Sequence, residues 1–277
     1  MQTCFSVHTQ LLAGENHNLR VTMAEDVDNT QKFSGKAEIY QKSRPGYAPQ
    51  FFRFLRDELQ VGPGWSVADV GSGTGIFSRQ LLDLGVEVFA VEPNPDMRSL
   101  CEANLGQQPG FHSINGTASA TSLPERSVRM VTAAQAFHWF DGPAFRAECV
   151  RILQPGGLVC LVWNQRDPSQ PVNQASARVF REYCPGFKGF SGGMAGRQED
   201  IELFFSGHFQ TRRFAHPLSY DLEGFLGRSN SASYALKAED PNFIAFENAL
   251  RKVFEDCAEG GQLVMGNETV VYFAALE

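Results

Sequence analysis

A chain of 277 residues, 43% hydrophobic and 20% charged, has an ordinary globular composition and enough apolar residues to bury a large core. Its formal net charge of -7 leaves no broad basic surface for neutralising phosphates, so nucleic acid is not an expected partner. No stretch approaches the roughly 18 uninterrupted apolar residues of a bilayer span. The apolar patch within residues 1–14 lacks the leading Lys or Arg of a secretory signal, so the expectation is a cytoplasmic protein with no membrane partner.

Residues 1–30 are polar and aperiodic and read as a flexible tail; they contain a second methionine, Met23, as an alternative start. Residues 31–62 read as an N-terminal helical lid, broken at Pro45 and resuming at Pro49 with Phe51, Phe52, Leu55 and Leu59 on one face. Gly62-Pro63-Gly64 ends it.

Apolar strands and helices then alternate. Strands are expected at 67–70, 86–91, 111–117, 128–134 and 158–163, and helices at 76–84, 95–105 and 143–153, the last closed by Gln154-Pro155-Gly156-Gly157. Short apolar strands separated by helices predict a parallel sheet covered on both faces, doubly wound, with ligands beyond the carboxyl ends of its strands. Residues 168–206, rich in Pro, Gly and aromatics and including Ser191-Gly192-Gly193, read as an inserted cap. A strand over 209–220, a helix over 242–254 and a terminal strand over 269–276 complete the chain. The fold expected is therefore α/β, Rossmann-like: a mostly parallel seven-stranded sheet with a C-terminal antiparallel strand pair and a small cap. The six cysteines, Cys4, Cys101, Cys149, Cys160, Cys184 and Cys257, show no paired short spacing, so they read as reduced packing thiols rather than metal ligands.

The central signal is Asp69-Val70-Gly71-Ser72-Gly73-Thr74-Gly75, which ends a strand and opens a helix. Glycines at alternate positions allow a tight turn and a close approach of ligand to backbone, with the helix N–H groups facing that ligand. The dinucleotide fingerprint needs a glycine where Ile76 stands, so the spacing departs from the pyrophosphate-binding form. Glu92 follows Gly71 by about 20 residues at the end of the next strand, the place from which an acid reaches a ribose. A carboxylate accepts from both ribose hydroxyls.

These residues resemble the class I S-adenosylmethionine-dependent methyltransferases, as does the turn Leu153-Gln154-Pro155-Gly156-Gly157. Phe33 to Ala37, Tyr40 to Tyr47 and Gln135-Ala136-Phe137-His138-Trp139-Phe140 are similar to the small-molecule branch containing trans-aconitate methyltransferase. The resemblance implies a methyltransferase domain over 31–277, S-adenosyl-L-methionine as cofactor and a small-molecule methyl acceptor, a carboxylate or a hydroxyl among the options. It implies no particular oligomeric state.

Carried over by position, the resemblance implies that Gly71, Ser72, Gly73, Thr74 and Gly75 line the methionine and ribose part of the cofactor. Asp69 would hold its ammonium, Glu92 its ribose with Pro93 beside it, and Met97 an adenine face. Thr117 and Ala118 would border the adenine edge, although relatives often carry an acid where this chain has Ser119. Gln135 would lie under the sulfonium, and Tyr40 and Arg44 would close over it.

His138 is the candidate base, with a suitable reference pKa of about 6.5; packing of a histidine beside Phe137 and Trp139 is the plainer account. Tyr47, Phe137, Trp139, Trp163 and Arg228 are the candidate acceptor contacts, the aromatics also reading as core. A nicotinamide oxidoreductase is disfavoured by the glycine spacing and the lack of a Tyr-x-x-x-Lys pair, and a nucleic-acid base methyltransferase by the acidic balance. A catalytically silent cofactor-binding sensor or interaction protein is the remaining alternative.

Overall fold

The computed structural model describes residues 45–190, 197–232 and 234–276. The proposed tail, the first part of the lid with Tyr40 and Arg44, Cys4 and the segment 191–196 lie outside these residues.

Pro49 opens α1 (Pro49–Asp57), where the missing proline N–H costs nothing, and Phe51, Phe52, Phe54 and Leu55 are buried along it. Then β1 (Ser66–Val70), α2 (Ile76–Leu82), β2 (Glu87–Val91), α3 (Pro95–Leu105), β3 (Phe111–Ile114) and β4 (Val128–Ala134) follow. Next come α4 (Gly142–Ile152), β5 (Leu153–Arg166), α5 (Pro171–Tyr183), α6 (Gln198–Phe204), β6 (Gln210–Ala215), β7 (Leu218–Tyr220) and α7 (Leu222–Asn230). The described chain ends with α8 (Phe243–Cys257), β8 (Leu263–Met265) and β9 (Asn267–Ala275).

Seven strands form one sheet in the order β3-β2-β1-β4-β5-β9-β6. β1 to β5 pair in parallel, and β9 runs antiparallel to both β5 and β6, as expected of the terminal pair. The chain winds outward from β1 to β3 and then returns to place β4 on the other side of β1. That reversal opens a crevice at the carboxyl ends of β1 and β4.

Both sheet faces are covered, which is why the strands read as continuous apolar runs. In β5, Cys160 and Val162 pack with α1, while Leu161 and Trp163 pack with Phe145, Cys149 and Ile152 of α4. A smaller cluster joins α5, α7, α8, β7 and β8 through Phe180, Phe225, Phe246 and Leu263.

Four departures from the sequence-based expectation bear on the architecture. The turn Gln154–Gly157 does not precede β5 but loops out of it: Leu153 pairs with Val128 and Leu158 with Met130, and Gly156 takes φ 73°. The strand expected over 209–220 is two strands in different sheets, divided at His216-Pro217. α7 was not expected; Asp221 caps it by accepting from the Gly224 N–H at 2.7 Å. Finally, the two ends of 168–206 separate: α5 joins the small cluster, whereas Ile201 and Phe204 of α6 join the main core.

Candidate cofactor and acceptor site

The crevice is a cleft. Its first wall is the β1–α2 loop, Gly71, Ser72, Gly73 and Thr74, together with Asp69 at the end of β1. The three glycines of this loop share a positive φ but answer different needs. A β-carbon on Gly71 would come within 2.7 Å of the Ala136 Cβ, and one on Gly75 within 2.6 Å of Cys101 Sγ and 2.7 Å of Leu105 Cδ1. A β-carbon on Gly73 would meet nothing within 4 Å among the described residues. Gly75, at φ 83°, thus serves helix packing and is absent from the lining, while Gly73, at φ 56°, faces open cleft.

Glu92 leaves β2 and turns back to this loop. Its Oε2 accepts from the Gly73 N–H at 2.9 Å and its Oε1 from the Asn94 N–H at 2.8 Å. Burial raises its pKa, opposed by these two N–H donors and by the positive charge of Arg98. Asn94 in turn caps α3, its Oδ1 accepting from the Asp96 and Met97 N–H groups, both at 3.0 Å. Pro93 and Met97 line the cleft beside it, and Thr117 and Ala118 close that end.

Asp69 is fully buried, and its oxygens accept from Ser78 Oγ at 2.6 Å and Thr132 Oγ1 at 3.0 Å. Burial drives its pKa up to about 6; the two hydroxyls oppose that shift and the charge of Glu92 adds to it. Ser72 Oγ and Thr74 Oγ1 are buried in the same loop with no hydrogen-bond partner among the described residues. Unpaired buried hydroxyls beside an open glycine and two buried carboxylates fit a polar adenosyl ligand.

The second wall comes from the ends of β4 and β5. Gln135 holds the left-handed φ of 54°, unusual for a side-chain-bearing residue, and donates from Nε2 to the Asn164 carbonyl at 3.0 Å. Ala136, Trp139 and Phe140 continue this wall, and Arg228 of α7 reaches it from the small cluster.

Pro45 and Tyr47 complete the cleft. Their segment is held from three sides: Asn164 Nδ2 donates to the Gly46 carbonyl at 2.9 Å, the Ala48 N–H donates to Thr269 Oγ1 at 2.9 Å, and Gln80 bonds both the N–H and the carbonyl of Tyr47. His216 Nε2 also lies 3.1 Å from the Gly46 carbonyl.

Of the residues expected at the site, Tyr47, Asp69, Gly71, Ser72, Gly73, Thr74, Glu92, Pro93, Met97, Thr117, Ala118, Gln135, Trp139 and Arg228 line this one cleft. Gly75, Phe137, His138 and Trp163 do not. Phe137 and Trp163 are core residues because the two-residue period of β5 puts Trp163 on the α4 face, where the two rings meet at 6.3 Å. His138 lies in the single 3-10 turn Phe137–Trp139 with its ring 4.8 Å from that of Trp139.

Pro45, Ile76, Phe77, Asn94, Ala134, Ala136, Phe140 and Asn164 also line the cleft and were not expected there. Asn164 alone carried a readable signal, a polar residue at the carboxyl end of an apolar parallel strand.

Residues 68–161 match the family model described as a methyltransferase domain. This stretch is similar to methyltransferase domains. It spans β1 to the middle of β5, and so includes both cleft walls from Asp69 to Phe140. The chain is 36% identical over 140 residues to an uncharacterized methyltransferase of Mycobacterium tuberculosis, covering 50% of this chain and 55% of that protein. It is 30% identical over 169 residues to an uncharacterized methyltransferase-like protein of Schizosaccharomyces pombe, covering 60% and 64% respectively. The chain thus spans about half to two thirds of the length of these relatives. Among solved structures, a protein assigned as a type II methyltransferase from Anaeromyxobacter dehalogenans shares the fold of this chain. The TM-score is 0.58 with 23% identity, over 84% of this chain and 97% of that one.

Proposed function

We propose that the chain transfers a methyl group from S-adenosyl-L-methionine to a small molecule bearing a carboxylate. The observation that carries this reading is the division of the cleft into two chemically different halves. The half built from the β1–α2 loop, Glu92 and Met97 holds both buried carboxylates and the unpaired hydroxyls. The other half is aromatic and amide-lined, and Arg228 is its one cationic side chain among the described lining residues.

Bound in the first half, S-adenosylmethionine supplies a methyl group on a sulfonium that leaves as a neutral thioether. Glu92 takes the ribose hydroxyls, since each of its oxygens keeps a lone pair beyond the one given to Gly73 or Asn94. Asp69 takes the ammonium. Met97, Pro93, Thr117 and Ala118 border the adenine. Trp139 and Phe140 exclude water, and Trp139 offers a π-face to positive charge.

The acceptor class follows from what the second half lacks. The titratable side chains among the described lining residues are Tyr47, Asp69, Glu92 and Arg228. Asp69 and Glu92 lie in the half assigned to the cofactor, and none of the described histidines lines the cleft. An acceptor hydroxyl would have to lose its proton to a base, whereas a carboxylate is already an anionic nucleophile near neutral pH. Arg228 offers a planar fork that matches a carboxylate. Positioning then supplies much of the rate.

The test is a panel of small carboxylic acids, phenols and amines, scored by S-adenosylhomocysteine formation. Turnover confined to carboxylic acids is expected, with Arg228→Gln raising acceptor KM at least tenfold. Turnover confined to phenols or amines overturns the acceptor class, and binding of cofactor with no turnover of any acceptor favours the silent binder.

A further inference from the structure

We propose that Arg98 is a positioning residue for the ribose of the adenosyl ligand, acting through the backbone of the Glu92 turn. The inference rests on the cofactor reading above, and Arg98 itself does not line the cleft.

Glu92 stands beyond the last residue of β2, in a turn whose carbonyls the sheet does not pair. Arg98, one helical turn past the cap of α3, reaches back and donates from Nη1 to the Glu92 carbonyl at 2.8 Å and the Pro93 carbonyl at 3.2 Å. The same nitrogen lies 3.2 Å from Asn115 Oδ1, just past the end of β3 and two residues before the Thr117–Ala118 wall. Its Nε forms a longer ion pair, 3.9 Å, with Glu102, which also accepts from Ser113 Oγ of β3 at 2.6 Å. One guanidinium therefore ties the ribose turn to the strand that carries the adenine wall.

The bonds close a ring. Glu92 Oε1 accepts from Asn94, Asn94 caps α3, and α3 returns Arg98 to the Glu92 carbonyl. Rotation of the Glu92 peptide would swing its carboxylate off the Gly73 N–H, and the ring opposes that rotation. Nη1 faces the turn carbonyls and Asn115 while Nε faces Glu102, so two nitrogens of one planar group meet the two sides at once. A lysine has a single nitrogen, which can meet the carbonyls but does not hold both sides in that fixed geometry.

Titration of S-adenosylhomocysteine and its 2′-deoxy analogue into wild type, Arg98→Lys and Arg98→Ala by calorimetry tests this, with thermal melts alongside. Wild type should discriminate against the deoxy analogue at least tenfold. Arg98→Ala should weaken S-adenosylhomocysteine about tenfold, the equivalent of one lost charge-assisted hydrogen bond of about 1.4 kcal/mol. The discrimination ratio should fall at least threefold, and Arg98→Lys should lie between. A general loosening of the fold would weaken both ligands alike and keep the ratio, which overturns the role, as does unchanged binding. A wild type that takes up neither ligand overturns the cofactor reading itself, and the role of Arg98 with it.

Discussion

The Gly73 N–H donates to Glu92 Oε2 at 2.9 Å, so the glycine loop and the acid at the end of β2 are one hydrogen-bonded unit. A glutamine at position 92 can accept from only one of the two N–H groups now bonded, and must turn its own NH2 toward the other. Glu92→Gln should therefore weaken S-adenosylhomocysteine at least tenfold in calorimetry. Affinity within threefold of wild type would remove Glu92 from the site.

Asp69 makes a prediction with two opposite signs. Its carboxyl is held at about 6 against an ordinary 3.8 because it is buried, so the folded chain binds this proton more tightly than the unfolded chain. Stability then falls as pH rises between those two values, and the cost is complete above about pH 6. Asp69→Asn should raise the unfolding free energy by about 1–3 kcal/mol at pH 7 and by close to nothing at pH 4, because each tenfold difference in proton affinity between the two states is worth roughly 1.4 kcal/mol. The same variant loses the charge proposed to meet the ammonium and should bind S-adenosylhomocysteine more weakly at pH 7. Melts at the two pH values beside a calorimetric titration check both signs.

Two glycines two positions apart should fail differently. Gly75→Ala drives a methyl into Cys101 and Leu105 at a left-handed backbone, and should cost about 2–4 kcal/mol of stability. Gly73→Ala incurs only the backbone strain of about 1–2 kcal/mol, because its β-carbon meets nothing within 4 Å among the described residues, and its methyl instead occupies ligand space. Chemical denaturation should rank Gly75→Ala as the less stable variant, and S-adenosylhomocysteine titration should rank Gly73→Ala as the weaker binder at matched folded fraction.

What the sequence made legible follows the range of the interactions involved. The parallel strands, α3 and the cleft wall of the β1–α2 loop were readable because they depend on local periodicity and a turn that only glycine satisfies. The opposite wall depends on which faces of β4, β5 and α7 meet, information spread from Pro45 to Thr269. Trp163 suited a core somewhat better than a wall, and the pairing of β5 between β4 and β9 turns it inward. Asn164 was passed over for a related reason: its partners Gly46 and Thr269 are distant in the chain. α7 escaped notice because its buried face is short, Phe225, Leu226 and Ser229, and two glycines interrupt its pattern.

The run Phe137-His138-Trp139 places three neighbouring rings in three environments, and substitutions should separate them. Phe137 is buried and packs on Phe204 at 5.2 Å and on Trp163, so Phe137→Ala should cost about 3–5 kcal/mol of stability. Trp139 lines the cleft, so Trp139→Ala should leave stability within about 1 kcal/mol and raise acceptor KM at least tenfold. His138 packs on Trp139 but is absent from the lining. With a carboxylate acceptor no proton has to be removed, so His138→Ala should lower kcat less than tenfold and leave S-adenosylhomocysteine affinity unchanged. A loss of a hundredfold or more in kcat at unaltered cofactor affinity would mean that the imidazole reaches the reacting atoms. The acceptor would then be one that must surrender a proton, and the carboxylate assignment would fall with it.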